Sequence, residues 1–295
     1  MKITLTGASG FVGGPLVERL RDKGHDLLLL GRRASGAQKF LKWDSIADPF
    51  PAAAVAGADA IIHLAGEPVA QRWSGDVKRR IRESRVNGTV QLVQAVEAAV
   101  TRPKVLISAS AIGLYGDRGD QNLDELSKPG DGFLPGVCVD WEDAAMYAAR
   151  FGVRVVLLRI GIVLHKSGGA LKTMLPIFRL GAGGPVGSGL QWMSWIHRDD
   201  LVGMIVWALE NETLSGAVNG VSPNPVLNAD FGRALGGVLS RPSMLPAPAF
   251  ALRLLYGEMA SVILGSQKVL PKIPIERGYR FRYPELNGAL AAAVS

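Results

Sequence analysis

The sequence predicts an α/β fold: a doubly wound parallel sheet of Rossmann type with a smaller C-terminal part that covers the substrate. Three observations predict it. An apolar strand runs straight into a glycine-spaced loop over residues 2–14; short apolar runs then alternate with helix-like stretches up to residue 165; and from Lys166 onward the texture turns to glycine-rich and proline-rich loops. Strands that alternate with helices require right-handed crossovers, which produce a parallel sheet covered on both faces.

The elements follow in order. Lys2 to Thr6 is the first strand, and Gly7, Gly10 and Gly13 come after it at the spacing G-x-x-G-x-x-G. The first glycine permits a tight turn, the second admits a pyrophosphate close to the backbone, and the third lets helix and strand pack. A helix from Phe11 to Arg21, with Phe11 and Val12 at its start, offers amides and a positive dipole end to the anion. Pro15 is tolerated near the first turn, where amides lack intrahelical partners. Apolar runs at His25–Leu30, Ala58–Ala65, Lys104–Ala109 and Arg154–Arg159 read as buried parallel strands. Helical stretches lie between them at Ser84–Ala99 and Val139–Arg150. Residues 1–165 form the Rossmann domain, with a return near 190–220 where Val218-Asn219-Gly220 offers one more strand. Residues 166–295 are mainly the covering part, with helices near Asp199–Glu210, Ala229–Leu239 and Ala247–Leu264.

Composition excludes several functions. At 295 residues, 48% hydrophobic and 20% charged, the chain has the make-up of a soluble globular protein. The net charge of +7 comes from scattered groups such as Arg32-Arg33, with no aromatic-interleaved stripe, so no nucleic-acid partner is expected. A single cysteine suits a reducing cytoplasm, and with four scattered histidines no metal is expected. The first strand begins at once, without the features of a signal peptide. The apolar segment Ala249–Gly265 is interrupted by Arg253 and Glu258, and therefore reads as a packed amphipathic helix; no membrane partner is expected. A homodimer is left open.

At the end of the second strand, where an acidic residue would bind the ribose of NAD, the chain has Gly31-Arg32-Arg33. Two guanidinium groups there either pair with a 2′-phosphate or are solvated surface arginines, and their position just after the strand favours NADP(H). With these features the chain resembles the short-chain dehydrogenase/reductase superfamily in its extended, epimerase and dehydratase-like form. The resemblance rests on Gly7 to Gly13, His63 to Gly66, Ser108 to Gly116 and Trp195 to Asp200. More narrowly it is similar to the atypical subgroup labelled "epimerase family protein", through Leu64 to Pro68, Arg72-Trp73, Ser84-Arg85, Trp141-Glu142, Gly181 to Gly189 and a C-terminal segment from Gly265 to Leu286. The resemblance implies that Gly31 and Arg32 lie at the adenosine phosphate and that Leu64 and Ala65 cover the cofactor. It also implies that Arg85 reaches a phosphate and that Val163 sits near the nicotinamide.

Ordinary members of the superfamily carry a Y-x-x-x-K pair and a serine at the fourth strand's end. None of the five tyrosines here has a lysine four residues on. By the resemblance, the place of the pair is taken by Cys138 and Glu142, one helical turn apart on one face. A carboxylate there either serves as a general base or binds a ribose hydroxyl or a structural arginine. Cys138 reads more readily as a small buried residue than as a nucleophile. Ser110 stands near the usual serine position but one residue out of step with Tyr115, so Ser108 is an equal candidate for a polar contact. Glu67 with Trp73, Trp192 and Trp195 either lines a substrate pocket or packs, and His197 reads as a capping or packing residue. The sequence thus predicts an NADP(H)-binding oxidoreductase or epimerase-like protein acting on a small molecule, with Glu142, Ser110 and Cys138 at the nicotinamide. The alternative is a regulatory or redox-sensing dinucleotide-binding protein with little turnover; the resemblance links some relatives to cell division.

Overall fold

The computed structural model describes residues 1–33 and 39–295. Seven parallel strands form the central sheet. The labelled strands are β1 (Lys2–Thr6), β2 (Asp26–Gly31), β3 (Phe40–Lys42), β4 (Ala60–His63) and β5 (Val105–Ala111). The strands Arg154–Ile160 and Gly216–Gly220 complete the sheet on the far side of β5, giving the spatial order Gly216–Gly220, Arg154–Ile160, β5, β4, β1, β2, β3. The strand order reverses between β1 and β4, and the carboxyl ends there open a crevice.

Successive residues in a strand face opposite sides, so a strand buried on both faces is apolar throughout. Ile62 and Ile107 enter one core with Leu5, Leu16, Leu158, Leu201 and Ile205; their neighbours Ile61 and Leu106 enter the other with Leu92, Val96, Ala145 and Val155. The first core is closed by α1 (Gly13–Asp22) and α5 (Arg198–Glu210), the second by α2 (Gly75–Ala98) and α3 (Phe133–Met146). The first helix begins at Gly13 rather than Phe11, because residues 11 and 12 still belong to the turn.

A third core gathers Leu171 and Leu175 of α4 (Gly169–Arg179), Trp195, Phe231 and Leu235 of α6 (Asn228–Leu239), and Leu286 and Leu290 of the C-terminal helix Leu286–Val294. The carboxylate of Asp200, in the first turn of α5, accepts the backbone amides of Arg282 (2.7 Å) and Tyr283 (2.9 Å), which ties this layer to the main sheet. The segment expected to form one packed amphipathic helix behaves otherwise. It breaks at Gly257, whose φ of +60° ends α7 (Ala249–Tyr256), and a separate short helix follows at Ala260–Leu264. No residue of α7 is buried. No helix among the described residues is long and apolar enough to cross a membrane.

Candidate functional site

The crevice between β1 and β4 is built around Thr6. Its hydroxyl accepts the amides of Leu64 and Ala65, both at 3.2 Å, and pairs with His63 Nδ1 at 2.8 Å, which locks the two strand ends together. Gly7 follows at φ +73°, and a Cβ there would stand 2.8 Å from the Leu64 carbonyl carbon. A Cβ on Gly13 would overlap the Gly7 carbonyl oxygen, while Gly10 donates its amide to that same oxygen at 2.9 Å. The backbone is thus folded so tightly that only glycine fits. Above it α1 opens with no side-chain cap and no acid in its first turn, so its positive end is left to an external anion. The loop fits a dinucleotide pyrophosphate.

The remaining cofactor candidates surround this cradle. Gly31 closes β2, and Arg32 and Arg33 stand exposed just beyond it. Phe11 and Val163 meet at the Gly168-Gly169 turn, where a Cβ on Gly169 would lie 3.1 Å from the Val163 carbonyl oxygen and 3.2 Å from the Phe11 ring. Arg85 reaches back from α2 beside Gly66, donating to the carbonyls of Glu67 (2.9 Å) and Ile81 (3.2 Å) with its guanidinium 5.3 Å from the Trp141 ring centre. Burial pushes its pKa down, and its hydrogen bonds among the described residues go to carbonyls alone. A half-buried cation so placed fits an anionic group in the crevice. Ser108 is buried and donates to the neighbouring Ala109 carbonyl at 3.2 Å.

Beyond Arg85 lies a buried polar network. Arg159, at the end of its strand, meets Glu142 of α3 in a two-pronged ion pair, Nε to Oε1 at 2.9 Å and Nη2 to Oε2 at 2.8 Å. Ser110 donates to Glu142 Oε1 at 2.6 Å. The other arm of Arg159 donates to the Tyr115 hydroxyl and to the Glu125 carbonyl, each at 3.0 Å, and Tyr115 donates to Asn219 Oδ1 at 2.7 Å. Burial opposes the charge of Arg159, but the hydrogen bonds and electrostatic attraction of Glu142 and Tyr115 together outweigh it and raise its pKa. The Tyr115 hydroxyl is pushed up to about 12 by burial, and Glu125, holding the amides of Asn219 and Ile273, is raised by burial as well.

Of the two readings left open for Glu142, this geometry matches the structural arginine: both of its oxygens accept from the Arg159 guanidinium, so neither is a free carboxylate base in this structure. Cys138 is buried, as its reading as a small buried residue has it. Burial, then the nearby Glu142 charge, push its thiol up to about 12, so the thiolate a nucleophile needs is disfavoured. Arg159, Glu125 and Asn219 were not singled out by sequence. The one local signal was Arg159 itself, a cation closing an apolar strand that must find a buried partner.

The aromatic set divides. Trp195 is fully buried and donates to the Asn224 carbonyl at 2.9 Å, a packing role. Trp73 packs edge-on against Phe133, and Trp192 donates to Asp120 at 2.8 Å; both remain half-buried. Glu67 lies 3.8 Å from Arg80. His197 caps α5, its Nδ1 accepting the Asp199 amide at 3.1 Å, and burial lowers its pKa to about 4.

Comparison with known proteins adds a lineage. The model of the NAD dependent epimerase/dehydratase family matches residues 3–219, and a model described as a domain of unknown function (DUF1731) matches residues 247–293. The chain is 44% identical to the chloroplastic epimerase family protein SDR39U1 homolog of Arabidopsis thaliana, over 99% of this chain and 86% of that protein. It is also similar to the crystal structure of human epimerase family protein SDR39U1 with NADPH, at 33% identity and a TM-score of 0.89 over 99% of both chains. A nucleoside-diphosphate sugar epimerase from Corynebacterium glutamicum aligns at 36% identity and a TM-score of 0.81, over all of this chain and 58% of that one.

Proposed function

Because the chain belongs to the NAD dependent epimerase/dehydratase family, we propose that it binds NADP(H) in the β1/β4 crevice and acts with it on a small molecule, as an oxidoreductase or epimerase-like enzyme. The observation that carries this reading is the cradle in which a Cβ at Gly7 or Gly13 would strike backbone, with exposed Arg32 and Arg33 just past the end of β2 and half-buried Arg85 beside Gly66. The α1 amides, with Phe11 and Val12 at the turn, would hold the pyrophosphate, Arg32 and Arg33 the 2′-phosphate, and Leu64, Ala65, Ser108 and Val163 the faces of the cofactor. The NADPH in the similar human structure supports the same choice. When bound, the nicotinamide supplies or takes up a hydride.

Ser110 is the hydroxyl proposed to meet the substrate. Its proton is committed to Glu142, so its oxygen lone pairs are free to accept from a substrate hydroxyl. Glu142 and Arg159 act as positioning residues that fix the Ser110 rotamer. NADPH and NADH affinities, measured by quenching of tryptophan fluorescence, test the binding; Arg32→Ala is expected to weaken NADPH roughly tenfold or more and leave NADH unchanged. Equal affinities for both, untouched by the substitution, overturn the cofactor assignment. Oxidation of NADPH by a panel of aldehydes, ketones and nucleotide-sugars, compared with Ser110→Ala, tests the chemistry. The regulatory reading is favoured by one observation, the full engagement of Glu142, and it stands if NADPH binds tightly and no substrate class drives its oxidation.

A further inference from the structure

An apolar helix with no buried residue and its large side chains in solvent is unusual on a globular protein. In α7, Phe250 is 72% exposed, Leu254 76% and Leu255 62%. Phe250 and Leu254 stand one turn apart on one face, with Arg253 beside them. The exposed apolar surface continues through Leu245 and Met244 to Leu180 at the end of α4. These pieces are tied together by backbone: Leu245 donates to the Gly183 carbonyl at 3.1 Å, Ala247 to Pro185 at 2.8 Å, and Gly187 back to Ala247 at 2.9 Å.

Charge follows the same boundary. Residues 144–198 and 231–257 contain no aspartate or glutamate, and Arg179, Arg241 and Arg253 stand exposed along the ridge. The nearest carboxylates in sequence are engaged, Glu258 with Lys78 and Asp230 with Arg233. An isologous contact with a second copy would bring two such all-cationic ridges together, at a like-charge cost. An anionic bilayer accepts both features, apolar side chains among the acyl chains and arginines at the headgroups.

We propose that this ridge, centred on α7, is a peripheral docking surface for anionic lipid membranes. A helix lying in the interface needs no membrane-spanning length, and α7 is anchored from below: Arg72 donates to the Leu254 and Leu255 carbonyls at 2.6 and 3.2 Å, capping its end. Flotation of the full chain with phosphatidylcholine vesicles, with and without phosphatidylglycerol, tests this. The chain is expected to float with the anionic vesicles alone and to be released by high salt. Phe250→Asp with Leu254→Asp should lower the vesicle-bound fraction about tenfold or more, with the thermal midpoint and NADPH affinity unchanged. Arg241→Glu with Arg253→Glu should lower it as well. Failure to float with anionic vesicles, or flotation indifferent to the Phe250 and Leu254 substitutions, overturns the proposal. So does a dimer in sedimentation equilibrium that those substitutions dissociate in the absence of lipid binding, which assigns the ridge to a second copy.

Discussion

Glu142→Gln isolates the charge of the buried pair while keeping its shape. The side chains of Arg159 and Glu142 are only 10% and 9% exposed, and the carboxylate accepts two hydrogen bonds from the guanidinium and one from Ser110. Gln retains one acceptor, but its amide NH2 turns a donor towards either Arg159 Nη2 or the Arg159 Nε and Ser110 side. Arg159 is then a buried cation without a counter-charge, which costs roughly 3–5 kcal/mol. The remaining acceptor places this substitution near roughly 3 kcal/mol, and at roughly 2–4 °C per kcal/mol for a large domain the thermal midpoint falls by roughly 6–12 °C. Urea unfolding of Glu142→Leu, Arg159→Met and their double variant closes the cycle, with Glu142→Gln measured beside it. Each single change should cost more than the double one, which removes both charges and returns to within about 1–2 kcal/mol of the parent. A single variant that loses under about 1 kcal/mol, or a double variant as unstable as the two single losses combined, refutes the reasoning.

Gly13→Ala should abolish tight NADPH binding, by about a hundredfold or more, because its Cβ overlaps the Gly7 carbonyl; a dissociation constant within threefold of the parent, about 0.6 kcal/mol, contradicts the cradle. His63 and His197 are held neutral, each with a pKa near 4 against 6.5 unfolded, so below pH 6.5 the unfolded chain binds more protons and stability falls as pH drops towards 4. Each should contribute about 2 kcal/mol of loss by pH 5, read from urea midpoints at pH 7 and 5. His197→Asn keeps an N-cap acceptor and should flatten that slope; an unaltered slope excludes the residue from the titration. The Cys138 thiol, at about 12, should resist iodoacetamide at pH 8 in the native protein and react once unfolded in urea. Rapid native alkylation contradicts its burial.

Periodicity and glycine spacing determined most of the framework. Apolar runs long enough to be buried on both faces mark β2, β4, β5 and the Arg154–Ile160 strand, Ile3 and Leu5 running into the glycine loop mark β1, and Gly7, Gly10 and Gly13 mark a turn that other side chains would obstruct. Such signals are local, so they survive in the chain itself. The sequence also determined what is missing, since a Y-x-x-x-K pair is a contiguous pattern and its absence can be read directly. What replaced it was decided by the tertiary structure alone. Ser110, Tyr115, Glu125, Glu142, Arg159 and Asn219 come from separate segments and meet only where β5, α3 and the strands Arg154–Ile160 and Gly216–Gly220 converge. A carboxylate reads identically in sequence whether it faces a substrate or a guanidinium. The same holds for α7, whose apolar composition implies a buried face until the fold shows that none of its residues is buried. Burial and charge pairing are properties of three-dimensional neighbours, and neighbours brought together across long stretches of chain leave no periodic trace.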